Sequence, residues 1–177
     1  ARKMIRLAKE SDLPAVAAIY EAILDQEDAT GVRYTGWQRG AYPTADTARS
    51  IFEAGTLYVG ADEDDTIWGS MNLNGSQLPE YKNGDWSIPA DDGQVAVIHT
   101  LTIAPARAGQ GLARQMVAFA EDTARSQGKT VLRLDTGVDN APTNHLYPSI
   151  GYRFAGVVDT FFMGYAKRPL NLYEKKL

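Results

Sequence analysis

The 177-residue chain has the size of one domain, because domains usually hold about 100–200 residues. Apolar residues make up 44% and charged residues 23% of it, a globular composition that excludes a disordered or low-complexity chain. The net charge of −4 excludes the broad basic field of a non-specific nucleic-acid-binding protein. The absence of cysteine excludes disulfides, thiolate metal sites and any mechanism that passes through a cysteinyl thioester.

The apolar stretches are a few residues long, far short of the roughly 20 residues that span a bilayer. The first residues lack the apolar region of a signal peptide. We therefore expect a soluble, cytoplasmic protein with no membrane and no nucleic-acid partner. The sequence leaves the oligomeric state open, a homodimer included.

The N-terminal part of the chain predicts a short strand and a helix. The strand is expected over 3–8 and the helix over 12–24, where apolar residues recur at helical spacing. Ser11 is the predicted N-cap of that helix. The segment 25–43 is polar and contains glycine, which predicts a loop.

A second helix and a hairpin follow. The helix is expected from residue 44 to residue 55. Strand-like runs at 57–61 and 67–73 flank the acidic turn 62–65 and predict an antiparallel hairpin with a solvated tip. Residues 74–94 carry turn residues throughout and predict a long loop, of the kind that is usually functional or disordered.

A strand, a glycine-containing turn, a helix and a second strand form the centre of the chain. Alternating apolar residues over 95–103 predict a strand covered on both faces. An apolar helical stripe begins at Leu112, and Gly128 closes that helix. A strand over 131–135 completes a right-handed, parallel βαβ unit. The last predicted elements are a helix near 141–150 and strands near 152–161 and 170–176. The fold class is a mixed α/β sheet.

The turn before the second central helix is the most informative stretch. Gly109 and Gly111 allow backbone N–H groups and the helix N-terminus to approach an anion, and Arg107 and Arg114 add positive charge. The Gly-Lys-Ser/Thr of a Walker A loop is absent, and Arg114 stands where a Rossmann fingerprint needs its third glycine. A tight turn that binds no ligand is the alternative.

A second constellation lies on the predicted helix near 141–150. Asn140, Asn144 and Tyr147 are spaced to share one helical face. The structural alternative is that Asn140 caps the helix and Tyr147 packs as an ordinary aromatic residue. Pro148 lacks an N–H and disfavours helical backbone at Tyr147, so the helix is expected to end there.

These stretches resemble the GNAT superfamily of acyl-CoA-dependent N-acyltransferases. Its pyrophosphate-binding signature is Gln/Arg-x-x-Gly-x-Gly/Ala, and the run 108–113 is similar to it. Gly111 and Ala113 match both glycine-type positions. Ala108 departs from the first position, although Arg107 is adjacent and could substitute.

The resemblance extends over most of the chain. Residues 5–14 look like the opening strand and helix of the family, 101–105 like its central strand, and 140–152 like its late helix. The resemblance implies a mixed, mostly antiparallel sheet flanked by helices. In that fold the fourth and fifth strands splay apart to form the acyl-CoA cleft.

The resemblance also implies acetyl-CoA as cosubstrate and assigns roles to residues. Tyr147 is expected to protonate the departing CoA thiolate. His99 is expected to act as general base or to be an ordinary core histidine, whereas His145 points away from the shared face. The residues expected to contact acetyl-CoA are Leu101, Ile103, Arg107, Ala108, Gly109, Gln110, Gly111, Leu112, Ala113, Arg114, Asn140, Asn144 and Tyr147.

The acceptor is expected to be a primary amine, most simply of a small molecule, acetylated by direct transfer in a ternary complex. Acidic and aromatic residues at the end of the first helix and in the loop that follows it could bind a cationic substrate, or could be solvated surface. They are Glu21, Asp25, Glu27, Asp28, Tyr34 and Trp37. A non-catalytic acyl-CoA-binding sensor domain and a protein or peptide N-acetyltransferase remain alternatives, and no metal is expected.

Overall fold

The computed structural model of the protein describes residues 4–162 and 166–177. Residue 3, which the predicted first strand includes, lies outside them. The strands are β1 (Met4–Leu7), β2 (Leu57–Ala61), β3 (Ile67–Asn74), β4 (Val95–Ile103), β5 (Val131–Gly137), β6 (Arg153–Phe162) and β7 (Ala166–Lys176), and the α-helices are α1 (Leu13–Thr30), α2 (Ala45–Glu53), α3 (Leu112–Ser126) and α4 (Ala141–Ser149). This order of elements is the predicted one.

Seven strands of the described residues form one hydrogen-bonded sheet in the order β1-β2-β3-β4-β5-β7-β6. The pairs β1–β2, β2–β3, β5–β7 and β6–β7 are antiparallel. β4 and β5 are parallel, and α3 joins them as the βαβ pattern predicts. The predicted mixed, mostly antiparallel sheet with one parallel pair is therefore confirmed. No helix of the described residues is long and apolar enough to cross a membrane.

Two compact units can be distinguished by their internal packing. The first holds the described residues up to Val32 with Trp37–Leu73 and His99–Ala120, and the second holds those of Arg33–Gly36, Asn74–Ile98 and Glu121–Leu177. Each unit has its own apolar cluster, in which a fully buried side chain contributes about 1.5–3 kcal/mol. The clusters are Leu13, Val16, Tyr20, Ala48, Ile51, Leu57 and Val59 in the first unit, and Tyr81, Val95, Val97, Val131, Ala155, Val158, Leu170 and Leu172 in the second.

The start of α1 differs from the prediction. Ser11 lies in a short 3-10 turn, and the N-cap position belongs to Asp12. The buried Asp12 carboxylate accepts the backbone N–H of Lys9 at 2.7 Å and pairs with the Arg6 guanidinium at 2.7 Å. A partly buried ion pair, which the apolar periodicity does not reveal, therefore fixes the beginning of this helix.

α1 also ends six residues later than predicted, at Thr30 instead of residue 24. Gly31 then adopts a positive φ of 73° and donates its N–H to the carbonyl of Glu27, as helix-ending glycines commonly do. Residues 25–30, predicted as loop, are therefore helical. The apolar period stops early because the last turns face solvent apart from the buried Glu27.

The predicted loop 74–94 contains two 3-10 turns, Pro79–Asn83 and Asp92–Gln94, and is fastened to the second unit. The fully buried Glu174 carboxylate on β7 accepts the backbone N–H groups of Ser87 at 2.8 Å and Ile88 at 3.1 Å. The Arg153 guanidinium donates to the same carboxylate at 2.7 Å. The loop is thus held by charge-assisted hydrogen bonds.

An aromatic stack holds the middle of the same loop. The Trp86 indole N–H donates to the carbonyl of Tyr81 at 2.6 Å. The Arg133 guanidinium carbon lies 4.2 Å from the centre of the Trp86 ring, within the range of a cation–π contact. Tyr81 is itself buried, and its hydroxyl donates to Asp135 at 2.6 Å. The loop therefore has an ordered, partly buried interior.

β4 is in regular parallel register with β5 over only the first part of its length. Its register with β5 runs from Val95↔Val131 to Ile98↔Leu134. Thr100 then adopts a positive φ of 49°, which interrupts the strict alternation of faces that the sequence predicts through residue 103. A residue in the left-handed region within a strand is typical of a bulge, which ends or redirects strand pairing.

We expect Glu174→Gln to destabilise the protein by about 3 kcal/mol at neutral pH, because it removes one partner of a buried charged network. Burial by itself would raise the pKa of the Glu174 carboxyl, but the hydrogen bonds from Ser87, Ile88 and Arg153 outweigh it and lower the pKa. The stabilisation is therefore present above the unfolded-state pKa of about 4.3 and is lost as the pH falls through the folded-state value. Urea unfolding at a series of pH values measures both effects.

The variant should also show a flatter acid limb in its stability profile than the wild type. Glu63→Gln, at an exposed position of the turn after β2, is the matched control and should behave like the wild type. Equal stability of the Glu174 and Glu63 variants at neutral pH would show that the carboxylate does not anchor the loop.

Candidate functional site

The turn between β4 and α3 exposes backbone donors. Gly109 and Gly111 have positive φ values of 79° and 72°, and a Cβ added at either position would meet nothing within 4 Å. The backbone N–H groups of Gly109, Gln110 and Gly111 donate to no described residue. The first N–H groups of α3, from Leu112 onward, have no acceptor within the helix. The turn is thus an open, electropositive cradle of the kind that binds phosphate groups.

The two arginines of this turn differ in what they contact. Arg107 donates two guanidinium hydrogen bonds to Asp62, at 2.7 and 3.1 Å, and a third to Gln110 at 3.2 Å. Arg114 is exposed and forms no hydrogen bond or ion pair within the described part of the chain. The positive charge of Arg107 is therefore already balanced, whereas that of Arg114 is available to a ligand. Asp62 also shows that the acidic turn is not wholly a solvated tip.

The second half of β4 contains the predicted backbone contacts. Leu101, Ile103 and His99 are all half-buried. Thr100, between His99 and Leu101, has a positive φ, and its hydroxyl is hydrogen-bonded to the Tyr42 hydroxyl. A β-branched residue in the left-handed region is strained, typically by about 1–3 kcal/mol. Such strain is found at functional sites more often than elsewhere.

Tyr147 lies in the last turns of α4 and is 3% exposed. Its ring packs against those of Tyr173 and Tyr152, with centroid distances of 5.5 and 5.9 Å. Its hydroxyl forms no hydrogen bond with any residue that the structure describes. Burial, with a smaller effect of the nearby Asp135 charge, raises the pKa of Tyr147. The phenol therefore stays protonated at neutral pH and has a proton to donate.

Asn140 and Asn144 use their side chains within the second unit. The Asn140 side-chain oxygen accepts the N–H of Thr143 at 3.3 Å, so Asn140 caps α4, as the structural alternative predicted. The Asn144 side-chain oxygen accepts from the Tyr173 hydroxyl at 2.8 Å and from Asn171 at 2.9 Å. Both residues fix α4 against its surroundings, and their contact with acetyl-CoA stays a prediction.

Pro148 does not end α4 as predicted, because the helix continues to Ser149. The missing N–H of Pro148 falls in the last turn, where few intrahelical bonds remain to be lost. The N–H groups of Ile150 and Tyr152 donate to the carbonyl of Tyr147, at 3.2 and 3.0 Å. Tyr147 is therefore held by backbone bonds from the residues that follow it. His145 is exposed.

The acidic residues of α1 surround one arginine. The Arg39 guanidinium lies 2.5 Å from Glu21, 2.9 Å from Asp25 and 2.8 Å from Asp28. All four side chains are exposed, so each pair contributes little to stability. Glu27 is buried instead. The carboxylates predicted to meet a cationic substrate are thus already paired with a cation of the protein.

The aromatic members of that predicted set are placed differently. Trp37 stacks edge-to-face with Tyr20 at 6.1 Å and with Tyr42 at 6.4 Å between ring centroids. Tyr34 is 39% exposed. The substrate contacts of Glu21, Tyr34 and Trp37 stay predictions. The sequence places Tyr42 with Tyr34 and Trp37 among the loop aromatics that could contact a ligand, but it does not reveal Thr100, because a threonine fits a strand pattern and carries no signal of a positive φ.

A parallel strand pair, an open glycine turn and the helix that follows it, within a mixed sheet, define an α/β protein with exposed backbone donors at a helix N-terminus. The model of a family described as Acetyltransferase (GNAT) family matches residues 16–152. The chain belongs to this family, and it is an acyltransferase.

Named relatives support this assignment. The chain is 28% identical to the L-amino acid N-acyltransferase MnaT of Escherichia coli over 84% of this chain and 78% of that protein. It is 33% identical to the streptothricin acetyltransferase of Streptomyces lavendulae, over 41% of this chain and only 39% of that protein's length. Both names describe acyl transfer.

Solved structures share the fold. A GNAT-family acetyltransferase from Streptococcus agalactiae superimposes with a TM-score of 0.76 at 17% identity, covering 99% of this chain and 95% of that one. The protein yncA of Salmonella typhimurium, determined with its cofactor acetyl-CoA, gives a TM-score of 0.69 at 20% identity over 100% and 95% of the two chains.

Proposed function

We propose that the protein transfers the acetyl group of acetyl-CoA to the primary amine of a small molecule, directly and without an acyl-enzyme. The observation that carries the proposal is the open turn at 109–111, where three backbone N–H groups have no described acceptor. The absence of cysteine supports direct transfer. The name of MnaT, an L-amino acid N-acyltransferase, supports a small amine as the acceptor.

The turn fits the pyrophosphate of acetyl-CoA. No side chain would stand above Gly109 or Gly111, so an anion can approach the backbone closely. The N–H groups of Gly109, Gln110 and Gly111 would donate to it, with the first turn of α3 and the positive charge of Arg114 adding attraction. Ala108, which also belongs to the predicted run, donates its N–H to the carbonyl of Pro105 at 3.2 Å. It therefore contributes less to binding of the pyrophosphate.

Each remaining role falls to a group of suitable chemistry. Acetyl-CoA, when bound, supplies an activated thioester carbonyl. The backbone N–H of Leu101 would polarise that carbonyl, and the backbone of Ile103 would align the cofactor arm. As the amine forms its bond to the carbonyl carbon, His99 or an ordered water takes the amine proton. As the carbon–sulfur bond breaks, the Tyr147 hydroxyl gives its proton to the sulfur.

The acceptor class can be tested directly. Release of free CoA thiol is measured with acetyl-CoA and a panel of amino acids, polyamines, aminoglycosides and peptides. We expect turnover with one of the small amines. Turnover with peptides alone would favour the protein acetyltransferase alternative, and binding of acetyl-CoA without turnover on any amine would favour the sensor alternative.

Gly111→Asp should weaken acetyl-CoA binding at least about tenfold, or about 1.4 kcal/mol, because it adds a side chain and a negative charge beside the pyrophosphate. In the wild type, acetyl-CoA at a hundredfold excess over its Kd should stabilise the fold by about 2.7 kcal/mol. Titration calorimetry and thermal unfolding measure the two quantities.

Gly31→Asp is the matched control, because Gly31 also has a positive φ and open surroundings but ends α1. It should keep the wild-type affinity for acetyl-CoA. Unchanged affinity in a folded Gly111→Asp protein would rule out this turn as the pyrophosphate site.

Tyr147→Phe should lower kcat by about 100-fold with little change in acetyl-CoA affinity, because it removes one general acid and no principal cofactor contact. Tyr152→Phe is the control, since its ring packs on Tyr147 while its hydroxyl donates to Glu121 at 2.7 Å. That variant should retain turnover. Near-normal kcat in Tyr147→Phe would assign the proton to another group or to water.

His99→Gln should lower the rate mainly at the alkaline side of the rising limb of the pH–rate profile, because the neutral imidazole is the form that accepts the amine proton. The limb should flatten while acetyl-CoA affinity is kept. His145→Gln, at an exposed position, should keep the wild-type profile. If His99→Gln also keeps it, His99 is a core residue and the base is water or a carboxylate.

A further inference from the structure

We propose that Tyr42 is a positioning residue: its hydroxyl holds Thr100 in the left-handed conformation and so sets the direction of the Leu101 backbone N–H. The inference rests on the proposed function, in which that N–H polarises the thioester carbonyl. It adds a residue outside β4 that the family signature does not contain.

Thr100 has a strained backbone conformation. Only it and Asp65 combine a positive φ with a side chain among the residues that the structure describes, at 49° and 65°. Asp65 lies in the exposed turn after β2, and aspartate tolerates this conformation because its short polar side chain bonds locally. Threonine is β-branched and does not tolerate it without support. Thr100 therefore needs a contact that holds it.

The contact is the hydrogen bond between the hydroxyls of Tyr42 and Thr100. It joins residues that are far apart in sequence, and both are half-buried. A hydroxyl bond shielded from water is stronger than an exposed one, because solvent does not compete for it. The Tyr42 hydroxyl is thus the described side-chain group that holds the strained residue from outside the strand.

Tyr42 is in turn firmly placed. Its backbone N–H donates to the carbonyl of Gln38 at 3.0 Å, and its carbonyl accepts the N–H of Gln38 at 3.1 Å. Its ring packs edge-to-face on Trp37, which packs in the same way on the buried Tyr20. A chain of three aromatic rings therefore ties the Tyr42 hydroxyl to the apolar core of the first unit.

The conformation of Thr100 determines where the Leu101 N–H points. The peptide unit between them is planar, so rotation about the Thr100 backbone turns that N–H as a rigid group. Relaxation of Thr100 toward an ordinary strand conformation would redirect it. A misplacement of about 1 Å in a catalytic group can cost about 100-fold in rate. Loss of the Tyr42 hydroxyl should thus act on kcat and not on cofactor affinity.

The test compares Tyr42→Phe and Thr100→Val, each of which removes one hydroxyl and keeps the side-chain shape. We expect each to lower kcat by between about 10-fold and 100-fold while acetyl-CoA affinity changes less than about threefold. The double variant should be no slower than either single variant, because both break the same bond. Thr100→Ser keeps the hydroxyl and should restore most of the rate.

A spectroscopic measurement reports on the N–H itself. In the wild type, the carbonyl stretch of bound acetyl-CoA, labelled at the carbonyl carbon, should lie at lower frequency than in solution. The shift should be smaller in Tyr42→Phe. Tyr58→Phe is the control, since the Tyr58 hydroxyl bonds to no described residue, and it should keep both the shift and the rate.

Thr100→Gly separates the positioning role from general stability, because glycine adopts a positive φ without strain. Although it lacks the hydroxyl, this variant should retain a higher kcat than Thr100→Val. A folded Tyr42→Phe protein with wild-type kcat and carbonyl frequency would overturn the inference and leave the proposed function intact. An unshifted carbonyl in the wild type would instead overturn the proposed role of the Leu101 N–H.

Discussion

The left-handed backbone at Thr100 is the constraint on which the proposed contact between β4 and the thioester carbonyl depends. Up to Ile98, β4 is an ordinary strand in register with β5, and its residues are buried. Beyond Thr100 the strand has left that register, so the backbone groups of Leu101 and Ile103 are not consumed by the parallel ladder. The conformational strain at Thr100 is offset by the packing around it, as is common at functional sites. In the proposed function, the second half of β4 therefore supplies backbone groups to the cosubstrate.

The charged side chains near the glycine turn differ in the same way, since one is paired within the protein and another is available to a ligand. Arg107 is the cation nearest in sequence to the glycine turn, yet its guanidinium is committed to Asp62. In the proposed function the turn therefore binds the pyrophosphate mainly through backbone N–H dipoles, and Arg114 adds a positive charge that no described residue pairs with. Asn144 shows a similar commitment, since its oxygen accepts two hydrogen bonds from β7. The side chains of Arg107 and Asn144 are thus engaged within the protein, and the proposed function assigns the ligand contacts of the turn mainly to backbone N–H groups.

Local patterns predicted the order of elements, the parallel pair and the glycine turn because each depends on residues close together in sequence. They could not predict what side-chain contacts between different elements decide. The start of α1 depends on the pair of Arg6 and Asp12, and the conformation of Thr100 depends on a tyrosine from another segment. The end of α1 was missed because an exposed helical turn has no apolar period to reveal it. The catalytic role of Tyr147 stays a prediction that rests on the family resemblance, since its spacing alone also allows a packing role.

The stack of Arg133 on Trp86 gives the molecule a natural optical label. Trp86 belongs to the second compact unit, and Trp68 and Trp37 belong to the first. Trp68 is wholly buried, whereas the Trp86 ring carries the Arg133 guanidinium on its face. The three indoles therefore lie in different environments, and a variant that keeps Trp86 alone would follow release of the 74–94 segment by fluorescence without any added dye.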